Sequence, residues 1–361
     1  IPQGDWSSDV CSSDLIIPNV PFVLSGAALV IWLITSFFVV IPVHVSTTLI
    51  SVCLVYCGSY ISIFTKKDDQ MTKDDAKKFP IMASATLFSL YLVFKYFNET
   101  VVKEVIFVYL LIVSCCAMAG CLNLVLENYL PRVLFHFQIS WPWEISFDVR
   151  ACDMVSYPVS FLCGILYYFD QVWIGNNIFG ICIVLLSLGY ESIGSFKSGF
   201  ILMAGLFFYD IFWVFGTEVM VKVATGVKGP IKFIFPKTLP GPNDYTREFY
   251  SMLGLGDVVV PGFFIAFLLA FDAYNARKEG VNTRETVNWP KPYFHTCCVF
   301  YALALVTTVV VMLVFKHAQP ALLYIVPACF LGSFGTAIAK GQLKELWNYS
   351  RSEERRVGKE C

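Results

Sequence analysis

Charge is what this chain has least of. Only 15% of its 361 residues are Asp, Glu, Lys or Arg, well below the roughly one-quarter typical of soluble domains, so an ordinary water-facing surface cannot be built from it. The formal net charge is −1. No polybasic tract and no RNA- or DNA-reading motif occurs, so a nucleic-acid partner has no support. No Cys-x-x-Cys pair occurs among the thirteen cysteines. Cys115, Cys116, Cys163, Cys182, Cys297, Cys298 and Cys329 lie within apolar runs, where they read as small buried hydrophobes rather than a secreted disulfide framework. No internal repeat is evident, which weakens an inverted-repeat transporter without excluding it.

What is abundant is apolar sequence, at 57% hydrophobic and 16% aromatic residues. Ten runs stand out, at 22–41, 45–64, 80–97, 104–126, 152–169, 173–189, 198–217, 251–271, 293–315 and 318–339. Each is near the ~20 residues that a spanning helix needs. A transmembrane barrel would show alternating segments of ~10 residues, whereas these runs are uniformly apolar, so the expected class is an all-α polytopic membrane protein. The stretches 1–15 and 351–361 break from the pattern and read as tails foreign to the fold. The chain opens on Ile1, so a missing start is expected, and the status of 16–44 stays open. Segment 45–127 reads as a transmembrane scaffold, 128–150 as an interfacial connection rich in aromatics, and 151–347 as the part bearing the unusual residues. Counting spans from 45–64, alternate loops carry 14 and 8 Lys and Arg residues. The richer side, which includes 66–78 and the tail 340–350, is expected in the cytosol. The sequon at Asn98 then falls on the lumenal side and that at Asn348 on the cytosolic side.

Two acids stand where acids are rare. Asp210 is the single formal charge of 199–217 and Asp257 that of 252–271, and a carboxyl group in hydrocarbon is costly enough that its default reading is functional. Asp210 sits among Phe207, Phe208, Phe212, Trp213 and Phe215, surroundings that disfavour a bare carboxylate. Asp257 closes Gly254-Leu255-Gly256-Asp257, whose two glycines allow close approach and loosen the helix start. Pro261, four residues on, lacks the N–H that the Asp257 carbonyl would otherwise receive. Two such carboxyls brought together share a proton, one acting as base and the other as acid, without either role being assignable. Gln319-Pro320-Ala321-Leu322 opens the last run, and Pro320 with Pro327 is expected to free backbone carbonyls that could align an extended substrate.

Tyr209-Asp210, Gly254-Leu255-Gly256-Asp257 and Pro320-Ala321-Leu322 resemble the three signatures of the intramembrane aspartyl proteases, the presenilin and signal peptide peptidase superfamily. AKKFPIMAS (76–84), WIGNNIFG (173–180), FFYDIFWVFGTEVMVKVA (207–224), MLGLGDVVVPG (252–262) and FKHAQPALLYIVPAC (315–329) are similar to its signal peptide peptidase branch rather than to presenilin. The similarity covers roughly 45–347, with the order and spacing of the signatures intact.

The resemblance implies a presenilin-like bundle of nine helices, with 22–41 as an extra apolar segment, in the endoplasmic reticulum membrane. It implies cleavage of remnant signal peptides and type II transmembrane segments by Asp210 and Asp257, without metal or organic cofactor. Tyr209, Gly254, Leu255, Gly256, Gln319, Pro320, Ala321 and Leu322 would shape the centre and hold substrate. A second copy of the chain and endoplasmic reticulum degradation factors are partners compatible with it, as is a close signal-peptide-peptidase-like paralogue as its identity. Water must reach the pair, so a polar cavity opening toward the cytosol and lateral access between spans six and nine are expected. An ion-coupled transporter and a non-catalytic chaperone of membrane helices use the same buried acids and stay open as other readings.

Overall fold

The computed structural model describes residues 20–36, 38–65, 70–127, 134–139, 145–216, 229–237, 250–283, 288–315 and 319–351. The two terminal tails lie outside these residues, save for Arg351. Each of the ten apolar runs carries a helix: α1 (Val20–Thr35), α2 (Val43–Phe64), α3 (Lys73–Tyr96), α4 (Glu99–Leu126), α5 (Asp153–Asp170), α6 (Trp173–Tyr190), α7 (Phe196–Phe215), α8 (Gly256–Lys278), α9 (Pro292–Phe315) and α10 (Leu322–Ala339). A short α11 (Leu343–Asn348) follows. Eight of the ten, all but α1 and α5, are long and apolar enough to cross a membrane. α5 is bounded by Asp153 and Asp170, yet Leu162, Ile165, Leu166 and Phe169 are exposed on it. So wide an apolar surface suits lipid and not water. The chain is a multi-pass helical membrane protein.

α8 is the axis of the bundle. Val258, Phe264, Ile265, Leu268, Leu269 and Phe271 are fully enclosed along it, and α2, α6, α7, α9 and α10 pack around it. Without a hydrophobic drive between helices in lipid, close approach depends on small residues. A Cβ added to Gly58 of α2 would stand 2.5 Å from the Leu188 side chain of α6, and one added to Gly262 of α8 would stand 2.7 Å from it. The segment around 22–41 forms a helix that ends at Thr35 and packs on α2. There the Trp32 indole donates to Ser46 at 3.1 Å.

The connections hold structure that the apolar runs did not announce. β1 (Leu134–Ile139) and β2 (Ile145–Arg150) pair antiparallel within the segment read as an interfacial connection. β3 (Lys232–Pro236) and β4 (Tyr250–Gly254) form a second antiparallel pair directly before α8, with Lys232 opposite Gly254 and Ile234 opposite Met252. At one end of the bundle, Met71 bridges Ile193 and Ser195 bridges Ser350. The Arg351 amide donates to the Gly194 carbonyl at 2.9 Å, so three distant segments meet there.

Candidate active site

On α7, Leu206, Asp210 and Trp213 recur at the i−4, i and i+3 spacing of a single helix face, and all three are buried. Asp210 is 5% exposed. Trp213 is tied to α3 by its indole N–H, which donates to Ser84 Oγ at 3.1 Å. About two turns earlier, Gly205 leaves room for Pro80 of α3, whose Cγ would be 2.6 Å from an added Cβ. The aromatic collar expected around Asp210 is only partly there. Phe208, Phe212 and Phe215 are exposed on the opposite side, because helical geometry turns those positions outward. Tyr209 is half-buried beside the acid, its ring 6.4 Å from that of Trp213.

Gly-Leu-Gly-Asp spans a change of backbone state. Gly254 ends β4, Leu255 is buried in the turn, and Gly256 opens α8 one residue before Asp257. The Val258 and Val259 amides both donate to the Leu255 carbonyl, at 3.1 and 2.9 Å, which starts the helix. Asp257 therefore lies in the first turn of the central helix and is partly exposed. A Cβ at Gly254 would come within 3.4 Å of Asp257 Oδ2, so glycine there keeps that carboxylate face uncovered. The carbonyl left without a helical partner by Pro261 receives the Tyr301 hydroxyl of α9 at 3.3 Å. Pro261 forecast the vacant acceptor, but nothing in its spacing pointed to a tyrosine 44 residues away.

The third motif meets the first directly. The Leu322 amide donates to Asp210 Oδ2 at 3.0 Å, so a carboxylate from α7 caps α10, where the first N–H groups of any helix lack internal acceptors. Pro320 is buried just ahead of α10 and Gln319 is half-buried before it. The expectation that both prolines interrupt a helix holds for Pro327 alone, since Pro320 precedes α10; its fixed φ and missing N–H suit a helix entrance. Asp257 stands in the first turn of α8, which packs against both α7 and α10. Asp210, Asp257 and the Pro-Ala-Leu segment thus converge where α7, α8 and α10 meet.

Such an arrangement offers two carboxyls, a fixed backbone donor on one of them, and glycine-flanked access to the other. Among the described residues no three His, Cys, Asp or Glu side chains stand together as a metal site would require. A cavity of about 270 Å³ lies among Thr72, Lys73, Ser195, Lys197 and Trp347. It opens at the beginning of α7, about 20 Å along the helix from Asp210 at 1.5 Å per residue, so it does not serve the carboxylates. A third buried acid, Asp272, escaped attention in the sequence because it stands one residue past the apolar run. Its oxygens accept the Phe294 and Tyr293 amides at 2.8 and 3.3 Å and cap α9.

A family model described as signal peptide peptidase matches residues 64–353. The human signal peptide peptidase is 36% identical over 294 residues, covering 79% of this chain and 75% of that protein. The mouse signal peptide peptidase gives the same identity and coverage. Intramembrane protease 2 of Caenorhabditis elegans is 44% identical over 182 residues, covering 50% of this chain and 39% of that protein.

Proposed function

The chain belongs to the signal peptide peptidase family, and from that premise we propose that it is an intramembrane aspartyl endopeptidase in which Asp210 and Asp257 activate water. Its substrates are remnant signal peptides and other type II transmembrane segments of the endoplasmic reticulum membrane. The observation that carries this reading is the Leu322 amide bonded to Asp210 Oδ2, at the junction where α8, with Asp257 in its first turn, packs on α7 and α10. A transporter or a chaperone has no need to join an acid of one helix to the Pro-Ala-Leu entrance of another beside a second acid.

The chemistry follows from one shared proton. The anionic carboxyl takes a proton from water as its oxygen adds to the amide carbonyl, while the protonated carboxyl donates to the carbonyl oxygen. Collapse of the diol returns that oxygen to a carbonyl, breaks the C–N bond and moves a proton to the leaving nitrogen. The pair titrates as a unit, so the starting proton belongs to neither member alone. A substrate helix must first open, because its amides are engaged internally. Substrates with Gly, Ser, Asn or Pro near the cut are favoured, since such residues make a helix cheaper to open. β4 runs into Gly254 and Asp257, so an extended segment laid alongside it would bring its amides toward the carboxylate. The charge count orients the carboxyl end to the cytosol.

The test is cleavage of a detergent-solubilised signal peptide by the wild-type chain beside Asp257→Ala. Loss of at least about 100-fold is expected on removing a general acid or base. Retained turnover in the variant would reject the mechanism, and undiminished cleavage of a substrate whose cut region is polyleucine would reject the helix-opening step.

A further inference from the structure

α6 carries two adjacent asparagines, Asn176 and Asn177, with no exposed surface. An amide enclosed in an apolar bundle is costly unless its groups are paired. Asn177 Nδ2 donates to the Ile234 carbonyl at 2.8 Å, and its Oδ1 accepts the Ile234 amide at 2.8 Å. Asn176 Nδ2 donates to the Lys232 carbonyl at 2.7 Å, and its Oδ1 accepts the Tyr167 hydroxyl at 3.3 Å. Engaging both the N–H and the C=O of one strand residue is what a neighbouring strand does. Lys232 and Ile234 are two apart, as successive outward-facing positions of a strand are. α6 therefore stands in for a third strand along the outer edge of β3. Gly180, one turn on, lets the hairpin come close: an added Cβ would lie 3.0 Å from Phe233 and 3.4 Å from Leu255.

The other edge of β3 leads to the acid. Lys232 is opposite Gly254, and the Leu255 amide donates to the Ile231 carbonyl at 3.1 Å, two residues before Asp257. A slip of β3 along α6 would carry Gly254, Leu255 and the first turn of α8 with it. Side-chain packing alone tolerates such a slip better than the three directed hydrogen bonds to β3 do.

We propose that Asn176 and Asn177 are positioning residues for Asp257: by clamping β3 they fix the register of the β3–β4 hairpin, and with it which substrate bond is presented to the acid. This rests on the reading of Asp257 as catalytic. Leucine keeps the branched outline of asparagine but cannot make either bond, so Asn177→Leu frees the Ile234 backbone.

The experiment maps the products of one signal peptide by mass spectrometry, with kcat and KM measured for the detergent-solubilised full chain. Leu188→Ala, buried on α6 away from the hairpin, serves as a stability control. Asn177→Leu is expected to lower kcat about 10- to 100-fold, as a misplacement of about 1 Å would, with KM changed by less than about twofold. Its cuts spread to neighbouring bonds, whereas Leu188→Ala melts earlier but keeps the wild-type cut. Wild-type product proportions in Asn177→Leu, at whatever rate, would overturn the proposal. Should that variant not fold, Asn176→Leu, which removes the bond to Lys232, decides by the same criterion, with a smaller spread expected. Cleavage that persists in Asp257→Ala, or is absent from the wild type, would instead remove the underlying reading.

Discussion

Pro261 cannot donate to the carbonyl of Asp257, and that oxygen is met by the Tyr301 hydroxyl from a different helix. A buried carbonyl stripped of its donor costs about 1–3 kcal/mol. Tyr301→Phe keeps the ring and removes only that donor, so it should lower stability by about that amount. The first turn of α8 then loosens, and kcat should drop several-fold. Unfolding in detergent alongside kcat checks this, and wild-type values for both would leave the bond without consequence. Gly254 makes a different contribution at the same site. It has no left-handed φ to protect, so a side chain there is tolerated by the backbone, but its Cβ would stand 3.4 Å from Asp257 Oδ2. Gly254→Leu should fold yet lose at least about tenfold in kcat, because a covered carboxylate cannot reach hydrogen-bond distance of water and substrate. Rates near wild type would show that substrate approaches from another side. Both acids were legible as lone charges in apolar runs, since hydrocarbon makes such residues conspicuous. Tyr301, Asn176 and Asn177 were not, because their roles depend on partners 44 to 57 residues away.

At the level of elements, helix ends decide where the site can form. α3 begins at Lys73, seven residues before the apolar run at 80, because Thr72 and Asp75 form a reciprocal capping box. Counting apolar residues misses such a start, since the first turn is charged. β4 occupies the beginning of the run 251–271, where the two glycines are expected to loosen the helix start, and pairing with β3 takes over there. α3 then steadies α7: Pro80 fits against Gly205, and Ser84 accepts from Trp213 on the face that bears Asp210. Gly205→Leu should push the two helices apart, costing about 1–3 kcal/mol by overpacking. It should also reduce cleavage without any contact to substrate. Thermal melting with a kcat measurement tests it, and an unchanged melt would mean that α3 yields freely. The α8–α9 turn depends likewise on Asp272. Asp272→Ala orphans the two amides that it caps, for a loss of about 2–4 kcal/mol when each buried donor costs about 1–2. A stability change under about 0.5 kcal/mol would indicate that water replaces the carboxylate.

Across the whole molecule, the bundle itself was readable because ten apolar runs left few alternatives to ten helices. What remained hidden was how loops of those helices meet. Residues 70–72, 191–195 and 349–351 come together at one end, all belonging to the side richer in Lys and Arg. α3 starts at that end and crosses the bundle, so Asn98, between α3 and α4, lies at the other. If the richer end faces the cytosol, Asn98 faces the lumen and Asn348 does not. Asn98 caps α4 by accepting the Thr100 amide through Oδ1 at 3.0 Å, whereas a glycan attaches through Nδ2, so the cap and the modification are compatible. In secretory-pathway membranes, enzymatic deglycosylation is expected to shift the mass of the wild-type chain. The shift should vanish in Thr100→Ala, which removes the sequon while keeping the backbone amide that Asn98 caps, and should persist in Asn348→Gln. The reverse pattern would turn the bundle over in the membrane. It would carry the β3–β4 hairpin, and the approach to Asp257, to the cytosolic side, where the sequence leads one to expect a polar cavity; in the orientation set by the charge count that approach is lumenal instead.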